Sequence, residues 1–490
     1  MKKWLCIICG LIYDEAEGWP ADGIAPGTRW EEVPDDWLCP DCLVSKADFE
    51  MIEITRDEAE SVVDVTAVAE QVVADPSGSS ESMIPAEQPS QQEVNPSSFV
   101  AVEPIVIIGS GHSGYQLAAA LRAQSVDVPI TVFTADDGAL YSKPALSNAL
   151  AVGKDGESLQ SESALEWESR LNIRIYPHTR VEHIDRENHT LHTNIGTYAY
   201  SRLVLATGAS PIAIPIGGDC SGVFSVNDLV DYRHFRQHLA EKKRVAILGD
   251  GLIGCEFAND LIESGFDVTV IGLGQWPMER LIPQPLGEAL QATFSSRGVK
   301  WALQDSISFI EPSQRTSADQ TDYLLHLNSG KQVEADLILS AVGLKPNVQL
   351  AELAGLETGR GIIVNSYGQT SDQHIFALGD CAETSQGWQP YIAPINQAIP
   401  SMAKSLLGEV TPVILSATPV IVKTPLMPLS VFPVSTPAYG EWIIEQQGED
   451  MTAAFYTPEG VMTGFALLGK HAQSMRAKWL GQLSLKQTAA

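Results

Sequence analysis

The feature that most constrains this 490-residue chain is a unit that occurs twice. PIVIIGSGHSGYQLAAALRAQ (104–124) reads as an apolar strand, a glycine turn and a helix, and RVAILGDGLIGCEFANDLIESG (244–265) repeats it 140 positions later, counted from Gly109 to Gly249. Each unit is followed by a polar, strand-like stretch and then a return strand, LVLATGASP at 203–211 and LILSAVGLKP at 337–346. Strand, G-x-G-x-x-G, helix is the context in which the glycines carry meaning. They allow a tight turn, a close backbone approach to a pyrophosphate and close helix packing, with the pyrophosphate at the helix N-terminus. Gly109, Gly111 and Gly114 therefore mark one dinucleotide site, and Gly249, Gly251 and Gly254 a second. A repeat of this kind predicts α/β architecture with two Rossmann-like domains.

Other segments accompany the first site. ATGASP (206–211) lies on its return strand, and TSDQHIFALGDCA (370–382) reads as a strand delivering Asp380 to a polar ligand group, with Gly379 permitting close approach. An acid at the end of the second strand should meet a ribose; that strand ends TVFTADD, which nominates Asp136. In the second site the corresponding strand, DVTVIG, ends at Gly272 with neither an acid there nor Arg or Lys at 272–277. The balance leans mildly to NADH, with NADPH not excluded. Glu256 follows two residues after Gly254. No CxxxxC follows the first unit, so no dithiol relay is encoded there; Cys220, Cys255 and Cys381 stand singly, the last two expected as packed small side chains. His112 is expected as a polar contact at the helix entry.

The first 53 residues are of another kind. Cys6-x-x-Cys9 and Cys39-x-x-Cys42 are two knuckles separated by residues 10–38. Four thiolates around one centre suit Fe or Zn; a disulfide is the plainer alternative. Zinc ribbons usually space their knuckles by ~15–20 residues. The longer gap here holds Tyr13, Trp19, Trp30 and Trp37, with Trp4 beside it. Such a core excludes water and tunes a redox potential, which favours Fe.

Charge and composition bound the rest. With 61 Asp+Glu against 31 Lys+Arg the chain carries −30, which argues against nucleic acid or an anionic membrane surface as partner. No apolar run approaches the ~18 residues of a membrane span. The opening MKKWLCIICGLIYDEAE resembles an export signal only superficially, because acids follow at once and no small-residue cleavage site does. A cytoplasmic protein is expected. Residues 54–101, rich in Ser, Glu, Gln, Pro and Val, read as a tether with a short helix over 58–74. Residues 1–53 are acidic, with 12 Asp+Glu against 4 Lys+Arg, so a partner surface on the same chain should be locally positive; Lys423, Lys470, Arg476 and Lys478, with Trp479 adjacent, are the candidates. Beyond about 410 the pattern is mixed strands ending in a helix.

Two resemblances follow from these residues. CIICGLIYDEAEGWPADGIAPGTRWEEVPDDWLCPDC resembles rubredoxin over its whole length, with the metal ligands Cys6, Cys9, Cys39 and Cys42; the departure is Leu43, where the family has Gly. Most of 103–490 resembles the two-dinucleotide-domain flavoprotein reductases, in the branch that reduces rubredoxin, with TADDGALYSKPALSNAL and the late VIVKTP typical of it. That resemblance implies FAD along Gly109–Gly114, Lys143, Val181, Ala206, Thr207, Gly208 and Asp380, with Lys143 near the flavin ring as a catalytic cation. It also implies a terminal partner such as an alkane hydroxylase, or an oxygen- or nitric-oxide-reducing enzyme. The expected organisation is a rubredoxin-like domain (1–53), a linker (54–101), a discontinuous FAD domain (102–222 and 346–410), an NAD(P)H domain (223–345) and a C-terminal α+β domain (411–490). The alternative is a reductase of a separate ferredoxin-like carrier, its N-terminal module a structural Zn docking domain.

Overall fold

The computed structural model describes residues 1–6, 11–34, 37, 39, 46, 51–54, 103–313, 322–434 and 439–487. Cys9, Cys42, Leu43, the helix expected over 58–74 and the rest of the tether beyond Ile54, which belongs to a strand, lie outside the described residues.

The N-terminal module is a small antiparallel sheet in which Lys3–Cys6 lies between Ile12–Asp14 and Met51–Ile54. Its core is aromatic, as the composition requires of so short a segment: the Trp30 ring lies 5.5 Å from Tyr13 and 5.8 Å, edge-on, from Trp37. Glu15 is buried beneath it, accepting from the Lys2 amide (2.8 Å), Trp4 Nε1 (2.9 Å) and the Trp30 amide (3.2 Å). Burial alone would raise this carboxyl; the three donors outweigh it and hold the group below its ordinary range.

The two repeated units fold alike. The first builds a parallel sheet in the order Ile375–Ala377, Arg202–Leu205, Ile105–Ile108, Ile130–Phe133, Arg174–Tyr176. The second uses the order Val223–Phe224, Leu337–Ser340, Arg244–Leu248, Asp267–Gly272, Lys300–Leu303. Ile105–Ile108 is buried on both faces, which is why it reads as an unbroken apolar run. Between the domains the chain crosses twice, at Ala209–Pro211 and Leu344–Pro346, and the two crossings pair antiparallel.

The C-terminal domain is an antiparallel sheet ordered Val420–Val422, Leu429–Phe432, Met462–Leu468, Asp450–Tyr456, Glu441–Gln447. Period-two alternation sends its side chains to two cores. Ala454, Phe465 and Leu467 pack under the final helix, Arg476–Gln487. Val431, Met451, Ala453 and Ala466 share a core with Phe235, Val245, Phe257 and Leu290 of the second nucleotide domain. The expected fold class, a small N-terminal domain, two Rossmann-type domains and a C-terminal α+β domain, is the one observed.

Candidate cofactor and metal sites

In the first loop Gly109 and Gly114 have a steric reason. Gly109 sits at φ +115°, and a Cβ there would fall 2.2 Å from the Ala206 carbonyl oxygen; at Gly114 it would fall 1.9 Å from that of Gly109. At Gly111 a Cβ would meet nothing within 4 Å, so the loop is open on that side. The helix His112–Gln124 begins there without a side-chain cap, leaving amide donors for an anion. Gly379, at φ +86°, brings Asp380 against the same helix start: a Cβ on it would lie 2.1 Å from Ser113 Oγ. Trp388 Nε1 donates to the Asp380 carbonyl at 2.7 Å and fixes that backbone. His112 Nε2 lies 2.7 Å from Asn396 Oδ1, and burial holds its pKa below the ordinary value. It is a packed entry contact.

The remaining nominated residues surround this loop. Asp136 Oδ1 accepts from Thr134 Oγ1, from Ser110 Oγ (3.1 Å) and from the Gly138 amide (3.0 Å), so its carboxylate is tied to the fingerprint. Val181 opens the strand Val181–Asp185 and is buried. Ala206, Thr207 and Gly208 lead into the inter-domain crossing, where Thr207 Oγ1 donates to the Asn347 carbonyl at 2.9 Å. Lys143 is half-buried and donates to Asn227 Oδ1 at 2.9 Å, and Asn227 Nδ2 donates to the Ala209 carbonyl at 3.0 Å. The lysine is thereby anchored at the crossing. Sequence reasoning missed Asn227, 84 residues away.

The second loop repeats the contacts. Gly249 is at φ +122° with a Cβ position 2.4 Å from the Ala341 carbonyl, Gly254 would place one 2.0 Å from that of Gly249, and Gly251 again faces open space. Glu256 is different from anything in the first unit. It is 1% exposed, accepts from Ser147 Oγ (2.6 Å) and the Lys423 amide (2.9 Å), and pairs with Lys423 Nζ. One carboxylate thus joins the first nucleotide domain, the second and the C-terminal domain. One turn on, Asp260 accepts from the Leu150 (3.1 Å) and Ala151 (2.7 Å) amides, and burial pushes it up to about 6.

This corrects the docking candidates. Lys423 is consumed by the buried pair with Glu256, and Arg476 is 3% exposed with its guanidinium on Ser430 Oγ at 3.2 Å. Lys470 and Lys478 are the exposed members of that set. Cys255 and Cys381 are fully buried and burial raises both thiols, as suits packed side chains.

In the N-terminal module the Sγ atoms of Cys6 and Cys39 lie 3.9 Å apart in the aromatic core. A disulfide would bring them to ~2.05 Å. Two ligands at a tetrahedral angle on ~2.3 Å metal–sulfur bonds would stand roughly 3.8 Å apart. The pair fits one metal centre; Cys9 and Cys42 are outside the described residues.

Comparison with known proteins agrees with this geometry. Residues 103–400 match the family described as pyridine nucleotide-disulphide oxidoreductase, 3–49 match rubredoxin, and 412–483 match the rubredoxin binding C-terminal domain. The rubredoxin-NAD(+) reductase of Acinetobacter baylyi is 41% identical over 382 residues, 76% of this chain and 96% of that one. The nitric oxide reductase FlRd-NAD(+) reductase of Vibrio vulnificus is 34% identical over 370 residues, 75% and 95% of the two chains. Among solved structures, the covalent putidaredoxin reductase–putidaredoxin complex superposes with a TM-score of 0.69 at 25% identity, covering 77% of this chain and 92% of that one. With both nucleotide loops formed and a thiol pair at metal-ligand spacing ahead of them, the chain belongs to the pyridine nucleotide-disulphide oxidoreductases, as a rubredoxin-NAD(+) reductase-like flavoenzyme with a rubredoxin domain of its own.

Proposed function

We propose that this chain passes electrons from NADH, through FAD in the first nucleotide domain, to iron held by Cys6, Cys9, Cys39 and Cys42 of its own N-terminal domain. The observation that carries the reading is the presence in one chain of a rubredoxin domain and a domain of rubredoxin-binding type, one on each side of the reductase. When bound, FAD takes two electrons as hydride and releases them singly, which suits a one-electron iron centre.

The chain's own residues supply position and charge. Gly109, Gly111 and Gly114 would cradle the FAD pyrophosphate on helix amides, and Asp380, held against the helix start, would take a ribityl hydroxyl. Asp136, Val181 and 206–208 would line the remainder. Lys143, oriented by Asn227, would stand beside the ring system, where a cation favours added negative charge. Gly249, Gly251 and Gly254 would receive the nicotinamide substrate, and Glu256, locked by Lys423 and Ser147, fixes that helix against the flavin domain. The onward partner belongs to the class of alkane hydroxylases or oxygen- or nitric-oxide-reducing enzymes, the latter supported by the naming of the Vibrio relative. A cytoplasmic setting suits the acidic composition; among the described residues no helix is long and apolar enough to cross a membrane.

The test is a spectrum. The purified chain should be red from iron(III) in four thiolates and should bleach when NADH is added. A colourless, zinc-loaded module would replace this reading with a structural docking domain. Cys39→Ser should abolish electron delivery to an external acceptor enzyme yet leave flavin reduction by NADH unchanged in stopped flow. If flavin reduction collapses too, the modules are not separable steps.

A further inference from the structure

The second nucleotide loop contains a carboxylate that the first does not, and its placement is specific. Asp250 occupies the position between the first two glycines where the first loop has Ser110. Its side chain crosses to the end of the second strand, where Oδ2 accepts from the Gly274 amide at 2.8 Å. A Cβ at Gly272 would fall 2.3 Å from Asp250 Cγ, and one at Gly274 would fall 2.5 Å from Oδ2. The two glycines are the space the carboxylate occupies. Oδ1 takes no hydrogen bond among the described residues, and the residue is half-buried. Glu279, whose carboxylate accepts from the Gln275 amide at 3.1 Å, adds a second negative charge to the same turn and is followed by the exposed Arg280, while 272–277 contain no Lys or Arg.

In a Rossmann unit the end of the second strand is where the adenosine ribose lies, and an acid there accepts from its hydroxyls. We propose that Asp250 is the specificity residue of the nicotinamide site. Its carboxylate accepts from the adenosine ribose hydroxyls and repels a 2′-phosphate, so that NADH is taken and NADPH refused. The inference rests on reading Gly249–Gly254 as the nicotinamide-dinucleotide loop. A role confined to bracing the Gly274 amide would not call for a charge: a neutral Asn or Ser offers the same acceptor, without placing a carboxylate beside a loop that must receive a pyrophosphate.

The experiment uses the full-length, FAD-loaded chain and titrates NAD+ and NADP+ calorimetrically against wild type, Asp250→Asn and Asp250→Ser. The serine variant installs the residue that the first loop already tolerates at the matched position, and unchanged flavin content and melting midpoint verify that both variants fold. Wild type should bind NAD+ the more tightly. In both variants NAD+ should weaken by about 10-fold, the scale of one charge-assisted hydrogen bond. NADP+ should tighten, so that the ratio of the two affinities moves by about 100-fold in total once the charge repulsion is lifted. An unchanged ratio in both variants, or equal loss of both ligands, would overturn the proposal and leave Asp250 as a loop brace. If neither dinucleotide binds wild type and NADH does not reduce its flavin, the nicotinamide reading itself falls, and this inference with it.

Discussion

At positions 140 apart the two nucleotide domains repeat their steric solutions and differ in charge. Gly114 and Gly254 would each drive a Cβ into the preceding glycine's carbonyl, at 1.9 and 2.0 Å. Ser110 faces Asp250 across this comparison, Gln116 faces Glu256, and Pro104 faces Arg244. The last pair is instructive. The Pro104 carbonyl accepts from the Ser201 amide at 2.9 Å, and the Arg244 carbonyl accepts from the Asp336 amide at 2.8 Å, so the backbone junction is the same. Only in the second unit do the two side chains form an ion pair, with Arg244 Nη2 3.0 Å from Asp336 Oδ1. What repeats is the fold's demand on the backbone. What differs is the charge each unit sets upon that backbone.

The largest expected effects test the part that repeats. Gly114→Ala should abolish FAD retention, read as loss of flavin absorbance from the purified chain, because the added methyl meets backbone that cannot swing aside. Gly254→Ala should leave the flavin bound and abolish NADH-dependent reduction. If Gly254→Ala releases the flavin as well, the units are not independent copies of one site.

Next comes the Glu256 pair. Lys423→Met leaves a carboxylate buried without its cation, and removing one partner of such a pair costs about 3–5 kcal/mol. The urea midpoint, followed by tryptophan fluorescence, should fall accordingly. Glu256→Gln combined with Lys423→Met should recover most of the loss, since the charge has gone with its partner. No recovery would mean that Lys423 acts through packing alone.

The smallest effect concerns Asp336. Burial would raise this carboxyl, but Arg244 and the amides of Lys243 and Arg244 outweigh that and hold it below its ordinary range. A lowered folded pKa contributes stability that is present above the unfolded value, ~3.9, and is lost as pH falls through the folded one. Asp336→Asn should cost about 1.5–3 kcal/mol at pH 7, the range for hydrogen bonds to a charged group, and progressively less toward pH 3. A gap between wild type and variant that does not narrow in acid would break the comparison with the uncharged first unit.

Much of this was legible from spacing. The glycine fingerprints, the return strands and the cysteine knuckles are local patterns whose meaning depends on neighbours within a dozen residues. The C-terminal strands were legible for the same reason. The misreadings all concern charge over long separations. Lys423 sits in VIVKTP, whose alternation does not reveal that the lysine points inward, and its partner is 167 residues earlier. Arg476 looked like a helix-surface cation until the sheet beneath it supplied Ser430. At the second strand end, the absence of an acid at Gly272 says nothing of which side chain reaches that point from elsewhere in the loop. Gly272 and Gly274 together left a vacancy that Asp250 fills from 22 residues away, and paired glycines where a ribose acid is expected were the available signal.

The shared core between the second nucleotide domain and the C-terminal sheet changes what kind of mechanical object that domain is. An inserted domain joined by two adjacent strands at 209–211 and 344–346 would ordinarily swing like a door on those strands. Here its far side is continuous with the sheet that carries Val431, Met451 and Ala453, and Lys423 pins the seam. It is a beam supported at both ends. Its second support is the domain that matches the rubredoxin-binding type.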